Sequence, residues 1–218
     1  MTEEQAFEEI VDTSDNWSKK PVQVLAPPKV LAKDIKKCHL CNIVLNVTDN
    51  ELVTCPECGC LVNLEYDYKP PTKLSIEDAV FHFNMFHNSV RSGIVHISTP
   101  LKKSNLLDVE GSLGAASKHI ESKGVKYSSK IMGQYDFLYL SDMLTRVPQP
   151  KEYLKSFQQN LKPKGIVQVL HVPQYQNKGV NKTSFNIPDL CDIMLMCGYI
   201  VNERLCLETN HGHVICCQ

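Results

Sequence analysis

Two pairs of cysteines near the front of the 218-residue chain have the spacing of metal-binding turns. Cys38 and Cys41 form the first C-x2-C pair, and Cys55 and Cys58 form the second after thirteen intervening residues. Two such turns can present four thiolates at about 2.3 Å from one ion, which is the tetrahedral arrangement of structural Zn²⁺. Gly59 after the second pair permits a tight backbone turn. The sequence therefore predicts a zinc ribbon whose metal folds the segment and does no chemistry.

Other interpretations of these cysteines stay open. Cys60 is a fifth candidate ligand, although the C-x2-C register favours Cys58. The same thiols could hold iron in a rubredoxin-like site, or act as a redox dithiol that oxidises reversibly and binds no metal. The residues between the pairs predict two short strands around Asp49 and Asn50.

The composition is that of a globular protein in a reducing compartment. Hydrophobic residues make up 43% of the chain and charged residues 22%, and the net charge of -1 creates no global field toward nucleic acid or an anionic membrane. The acidic N-terminus does not have the pattern of a signal peptide, and no run approaches the roughly 18 apolar residues of a membrane span. We expect a cytoplasmic protein with no membrane partner. Small core residues are the simplest interpretation of Cys191, Cys197, Cys206, Cys216 and Cys217.

The chain divides into three parts by composition. Residues 1–34 are predicted to be a flexible arm, residues 35–68 the zinc ribbon, and residues 73–218 a second domain. The proline-containing connector at 69–72 separates the last two, because consecutive prolines continue neither a helix nor a central strand.

Strands and helices alternate along the second domain. A helix is predicted to start at Ser75, and the closing segments 199–208 and 213–217 are predicted to pair as a hairpin at one edge of the sheet. Between them the pattern predicts strands at 106–109, 125–129, 135–141 and 166–171, and helices at 115–124, 150–165 and 187–198. This order favours an α/β fold with a mostly parallel sheet.

Three stretches of this domain resemble class I S-adenosylmethionine-dependent methyltransferases. Residues 135–173, YDFLYLSDMLTRVPQPKEYLKSFQQNLKPKGIVQVLHVP, resemble the family's fourth strand, the following helix and the fifth strand. Residues 185–204 resemble its last helix and sixth strand, and residues 106–114 lie where the family keeps its glycine-rich loop. The resemblance implies a Rossmann-like sheet with helices on both faces, and transfer of a methyl group from S-adenosylmethionine to an unidentified acceptor.

The resemblance also implies a set of site residues. Asp108, Gly111 and Gly114 would surround the cofactor, and Asp142 with Met143 would lie at the mouth of the site. A helix cap at Ser141 or Asp142 is an equal alternative. His171 at the end of the fifth strand would be a general base or acceptor contact, or else an ordinary polar strand end. His82 and His87 are interpreted as packing histidines.

The chain departs from the family pattern in two places. Glu110 and Ser112 stand where the motif D-x-G-x-G-x-G has glycines. Residues 115–134 leave space for one helix and one strand only, so that the domain is shortened, and no acidic residue follows the strand at 125–129 to hold a ribose. These departures favour a second hypothesis, in which the domain is an inactive methyltransferase-like fold and the ribbon binds a protein or nucleic acid.

Overall fold

A computed structural model describes residues 37–38, 40–45, 52–63, 71, 73–147, 149–171, 183–184, 186–202, 207–209 and 212–217. The predicted arm at residues 1–34 lies outside the described residues. The strands of this part of the chain are β1 (Leu52–Thr54), β2 (Leu61–Asn63), β3 (Asn105–Asp108), β4 (Lys126–Ser128), β5 (Tyr135–Leu140), β6 (Leu161–His171), β7 (Thr183–Ser184), β8 (Leu207–Thr209) and β9 (Gly212–Cys217). Its α-helices are α1 (Ile76–Arg91), α2 (Ser117–Ser122), α3 (Pro150–Ser156) and α4 (Ile187–Met196).

The larger sheet has six strands in the order β4-β3-β5-β6-β9-β8. The first four are parallel to one another, whereas β9 pairs antiparallel with β6 and with β8. The predicted α/β class with a Rossmann-like parallel sheet is therefore confirmed, and so is the closing hairpin at one edge. In the described part of the chain, the opposite edge ends at β4, in agreement with the shortened pattern of the sequence.

Alternating residues of β5 face two separate hydrophobic clusters. Leu138 and Leu140 belong to a cluster shared with α3 and α4, whereas Phe137 and Tyr139 belong to a cluster shared with α1 and α2. Parallel sheets need cover on both faces, because their strands carry apolar side chains on both sides. The helices provide that cover on each face.

Helix α1 starts where the sequence predicts. Ser75 is its N-cap and accepts a hydrogen bond of 3.1 Å from the Asp78 backbone N–H. The buried face of the helix includes His82, whose Nδ1 lies 2.8 Å from the Tyr139 hydroxyl, and His87. Both histidines therefore pack in the core, as predicted.

The predicted helix at 150–165 is wrong in its second half. Helix α3 ends at Ser156, a 3-10 turn follows at Gln158–Asn160, and β6 already begins at Leu161. The backbone folds tightly over Leu161, since a Cβ built on Gly165 would stand 2.6 Å from its side chain. Lys164 adopts a positive φ of 61° in the same turn. The L-K-P-K-G segment is thus the irregular start of strand β6. The sequence pattern predicts the end of a helix there, because a proline and a glycine are typical of a helix C-terminus.

The cysteine segment, which comprises the described residues between 37 and 63, carries the cysteine pairs in turns next to a second, smaller sheet that packs against the larger one. Strand β1 pairs antiparallel with β2, and β2 pairs antiparallel with β7 from the far end of the sequence. The predicted turn at Asp49 and Asn50 lies outside the described residues. The buried residues of this segment belong to the same hydrophobic cluster as Leu138 and Leu140: Cys38, Leu45, Cys55, Cys60 and Val62. The cysteine segment therefore covers part of one face of the sheet.

Among the helices of the described residues, none combines the length with the apolar character needed to cross a bilayer.

Shortening a core side chain of β5 tests this arrangement. Phe137→Ala is expected to lower the free energy of unfolding by about 3–5 kcal/mol, because Phe137 is fully buried against Phe86 of α1. The matched control is Phe81→Ala on α1, whose side chain is 49% exposed. Urea unfolding measures both, and a loss in Phe81→Ala equal to that in Phe137→Ala would contradict the assigned core.

Candidate functional site

The order in which the chain adds strands to the parallel sheet reverses between β3 and β5. After β3 the chain places β4 on one side, and it then returns to place β5 and β6 on the other side. In open α/β sheets, ligands bind at the carboxyl ends of the strands on either side of such a switch point. Asp108 ends β3 there, and Ser141 follows β5. Two loops, residues 109–116 and residues 141–147, therefore form the candidate crevice.

Asp108 holds the first loop in shape. Its buried carboxylate accepts hydrogen bonds from the backbone N–H groups of Ser112 and Leu113, at 3.0 Å and 2.8 Å, and from the Tyr127 hydroxyl at 2.8 Å. Burial raises the pKa of Asp108 above its ordinary value, although the hydrogen bonds that it accepts oppose the shift. Sequence spacing does not predict the Tyr127 contact, because only the pairing of β3 with β4 brings the two side chains together.

Gly111 provides the turn in this loop. Its φ of +72° is a conformation that other residues rarely adopt, and no heavy atom lies within 4 Å of the place where a Cβ would stand. Gly114 begins the short 3-10 turn before α2 and is exposed. Gly111 therefore leaves open space beside the loop backbone, whereas a Cβ at Gly114 would lie 3.6 Å from the Tyr127 hydroxyl.

Glu110 joins the two loops of the crevice. Its Oε2 accepts a hydrogen bond of 2.8 Å from the Ser141 backbone N–H, and its Oε1 accepts one from the Tyr153 hydroxyl of α3. Burial raises the pKa of Glu110 to about 8, and the nearby Asp108 and Asp142 add to the shift. The raised pKa favours the protonated form of Glu110 in the folded chain. Tyr153 was missed at the sequence level, since nothing in the spacing of residues 110 and 153 relates them.

Asp142 and Met143 lie in the second loop, as the resemblance implies, and both are buried. The Asp142 carboxylate forms an ion pair with Arg146 one turn later and accepts a hydrogen bond of 3.1 Å from the Ser141 hydroxyl. The loop forms a 3-10 helix at Asp142–Thr145 whose N-cap is Ser141, without a side-chain capping bond. Contact of Asp142 and Met143 with a cofactor stays a prediction.

The remaining strand ends lie along the same edge of the sheet. Ser128 ends β4, and its hydroxyl forms hydrogen bonds within the turn to the backbone of Lys130, at 2.8 Å and 3.1 Å. The end of β6 is His171, whose backbone pairs with that of His213 in β9. Its side chain lies outside the described residues, so the catalytic role of His171 stays a prediction.

Five thiols gather in the cysteine segment. The sulfurs of Cys38, Cys55, Cys58 and Cys60 all lie within 4.8 Å of one another, and the Cys41 sulfur lies 3.4 Å from that of Cys55. Burial opposes ionisation of Cys38, but hydrogen bonds from the backbone of Cys41 and Leu40 lower the pKa of its thiol to about 7. An assembly of sulfur ligands at this spacing suits Zn²⁺.

The two C-x2-C pairs have the same backbone geometry. Cys38 donates its N–H to the Ile43 carbonyl, and Cys55 donates its own to the Cys60 carbonyl, both at 2.8 Å. The residue after each pair has a positive φ, 62° at Asn42 and 68° at Gly59. Cys41 is thus the counterpart of Cys58, and Cys60 is the counterpart of Ile43. The repeat supports Cys38, Cys41, Cys55 and Cys58 as a ligand set.

No protein family model and no curated protein matches the sequence. The fold is similar to solved methyltransferase structures at low identity. An O-methyltransferase family 2 protein from Planctomyces limnophilus is 13% identical with a TM-score of 0.39, over 67% of this chain and 62% of that one. The Burkholderia thailandensis 1,6-didemethyltoxoflavin-N1-methyltransferase is 10% identical with a TM-score of 0.44, over 77% of this chain and 98% of that one. An O-methyltransferase family structure from Nostoc punctiforme is 13% identical with a TM-score of 0.43, over 65% of this chain and 56% of that one.

The pKa of Glu110 predicts a pH-dependent stability. The folded chain keeps this proton up to pH about 8, whereas the unfolded chain releases it near 4.5. The folded state therefore binds more protons between these values, and the stability contribution of Glu110 falls as the pH rises through this window. We expect the melting temperature to fall between pH 5 and pH 9, and to fall less in Glu110→Gln; each 1 kcal/mol corresponds to about 2–4 °C at this chain length.

Calorimetric melting of both proteins with zinc bound measures the difference. The matched control is Glu121→Gln on α2, which is exposed and is expected to retain the full dependence. Parallel curves for the unsubstituted protein and Glu110→Gln would show that Glu110 titrates alike in the folded and unfolded chains.

Proposed function

We propose that this protein is an S-adenosylmethionine-dependent methyltransferase acting on an acceptor that its residues do not identify. The observation that carries the proposal is the meeting of two shaped loops at the switch point of the parallel sheet. The first is held by the Asp108 carboxylate and turns at Gly111. The second loop begins directly after β5, and the Glu110–Ser141 hydrogen bond joins it to the first loop.

The loop around Gly111 is compatible with a nucleotide-like ligand. The open space beside its backbone allows close approach, which is the reason such loops carry glycine. S-adenosylmethionine supplies an electrophilic methyl group on a sulfonium. In this proposal Asp108, Gly111 and Gly114 shape the binding loop, and Asp142 and Met143 lie beside the methionine part of the cofactor. His171 would lie near the acceptor. Much of the rate enhancement then comes from holding methyl group and acceptor in line, without an obligatory base.

A second candidate function is favoured by Glu110. The resemblance expects a glycine at this position, whereas here a half-buried side chain joins the two loops through Ser141 and Tyr153. Its carboxyl lies between the two loops that would admit the cofactor. If the contact is permanent, the domain is an inactive methyltransferase-like fold, and the cysteine segment binds a protein or nucleic acid.

The metal is the third part of the proposal. We infer that the cysteine segment holds one structural Zn²⁺, on the strength of the repeated backbone geometry and the clustered sulfurs. A closed shell of four thiolates leaves no open position for substrate. The metal would then fold the segment that covers one face of the sheet.

Calorimetric titration of the zinc-loaded full chain with S-adenosylmethionine and S-adenosylhomocysteine tests the leading candidate. We expect micromolar binding, weakened at least about tenfold in Asp108→Asn and in Asp142→Ala, which corresponds to a loss of about 1.4 kcal/mol. Asp108→Asn keeps the shape of the side chain, and thermal melting verifies that each variant is folded. Glu121→Ala, exposed on α2, is the control that should bind as before.

Each outcome distinguishes the candidates. Absence of binding at millimolar ligand would refute the methyltransferase and support the inactive fold. Binding that is unchanged in both aspartate variants would be compatible with a methyltransferase but would show that the ligand does not bind at Asp108 and Asp142. Binding with the expected losses justifies a screen of small-molecule, sugar, protein and nucleic-acid acceptors.

A further inference from the structure

The cysteine segment holds one thiol more than a tetrahedral metal site needs. The Cys60 sulfur lies 3.4 Å from the sulfurs of both Cys38 and Cys58, and the Cys38 and Cys58 sulfurs are 3.5 Å apart. On the other hand, the Cys41 sulfur lies 3.4 Å from that of Cys55 and interacts with the thiols of Cys38 and Cys58. Two sets of four can therefore be drawn, and they share Cys38, Cys55 and Cys58.

Each set is supported by a different observation. The repeated backbone turns pair Cys41 with Cys58 and so favour the set containing Cys41. Mutual sulfur distances within 4.8 Å favour the set containing Cys60. In a tetrahedron with metal–sulfur bonds of about 2.3 Å, the sulfurs lie about 3.8 Å apart. The Cys60–Cys38 and Cys60–Cys58 distances of 3.4 Å and the Cys41–Cys55 distance of 3.4 Å are close to this separation.

We propose that Cys41 and Cys60 are interchangeable fourth ligands of a single metal ion, so that the ribbon holds Zn²⁺ through either of two overlapping sets of thiolates. This inference rests on the zinc site proposed above and extends it to a site with a spare ligand. Cys60 occupies the position of Ile43 in the repeat, which explains why only the second turn supplies an additional sulfur.

The exchange of ligands is balanced without any redox partner. As the incoming thiol forms its bond to zinc it releases a proton, and the departing thiolate takes up a proton as its bond to zinc breaks. The charge of the site and the oxidation states of zinc and sulfur stay the same. Because both sulfurs lie on the same cluster, the metal is retained throughout.

Metal content and coordination of single variants test the proposal. We expect Cys41→Ser and Cys60→Ser each to keep one zinc per chain, with affinity within about tenfold of the unsubstituted protein. Replacement of zinc by Co²⁺ should give both variants the absorption spectrum of a tetrahedral four-thiolate site. The double variant, Cys41→Ser with Cys60→Ser, should lose the four-thiolate spectrum and bind at least about a hundredfold more weakly.

Two reference variants complete the experiment. Cys38→Ser combined with Cys60→Ser removes a shared ligand, leaves three cluster thiols as the first double variant does, and should behave like it. Cys197→Ser removes a buried thiol that contacts the Lys151 carbonyl and should have no effect on metal. Loss of metal or folding in Cys41→Ser to the extent seen in the Cys38→Ser, Cys60→Ser variant would overturn the exchange. Failure of the unsubstituted chain to bind any zinc would instead refute the metal site itself.

A second measurement on the unsubstituted protein does not depend on the folding of any variant. Alkylation of the zinc-loaded chain, followed by mass spectrometry, identifies the cluster thiol that reacts first. Two exchanging ligand sets should label a fraction of molecules at Cys41 and another fraction at Cys60. Labelling confined to one of these cysteines would mean that a single ligand set holds the metal.

Discussion

Strand β5 is buried along its whole length, and this burial constrains the rest of the structure. Every residue from Tyr135 to Leu140 is buried, so that both faces of the sheet need apolar cover at this strand. Helices α1 and α2 cover one face. The other face is covered by α3, α4 and the cysteine segment together. The cysteine segment is for this reason part of the core. Strand β7 also pairs with β2 through backbone hydrogen bonds, although the two strands are far apart in the sequence.

The same strand also determines where a ligand can lie. Because β5 is parallel to β3 and next to it, the loops that follow both strands meet at one edge of the sheet. Their contact consists of a carboxyl group whose hydrogen bonds reach a backbone amide of the second loop and a hydroxyl of α3. Removing a carboxyl group from water costs free energy unless it is hydrogen-bonded, and both oxygens of Glu110 accept hydrogen bonds while its pKa is raised. The methyltransferase and the inactive fold differ in whether this contact yields to a ligand.

The thiol cluster and the crevice are linked through packing. Cys55 and Cys60 belong to the hydrophobic cluster that also contains Leu107 of β3 and Leu144 of the second crevice loop. A metal that folds the cysteine segment therefore stabilises the cover over strands that end at the crevice. The proposed fifth thiol would fit this role, since a metal held by either of two ligand sets would be lost less easily from the segment that covers the sheet.

The sequence by itself determined the order of strands and helices, the cysteine pairs and the glycine turn at Gly111, because these depend on local periodicity and backbone conformation. It misplaced the start of β6, where a proline and the Lys164 turn resemble a helix end. Only the tertiary structure decided that Tyr127 binds Asp108, that Tyr153 binds Glu110 and that Cys60 joins the thiol cluster. These contacts depend on strand pairing and packing, which bring together residues whose separation in the sequence carries no signal.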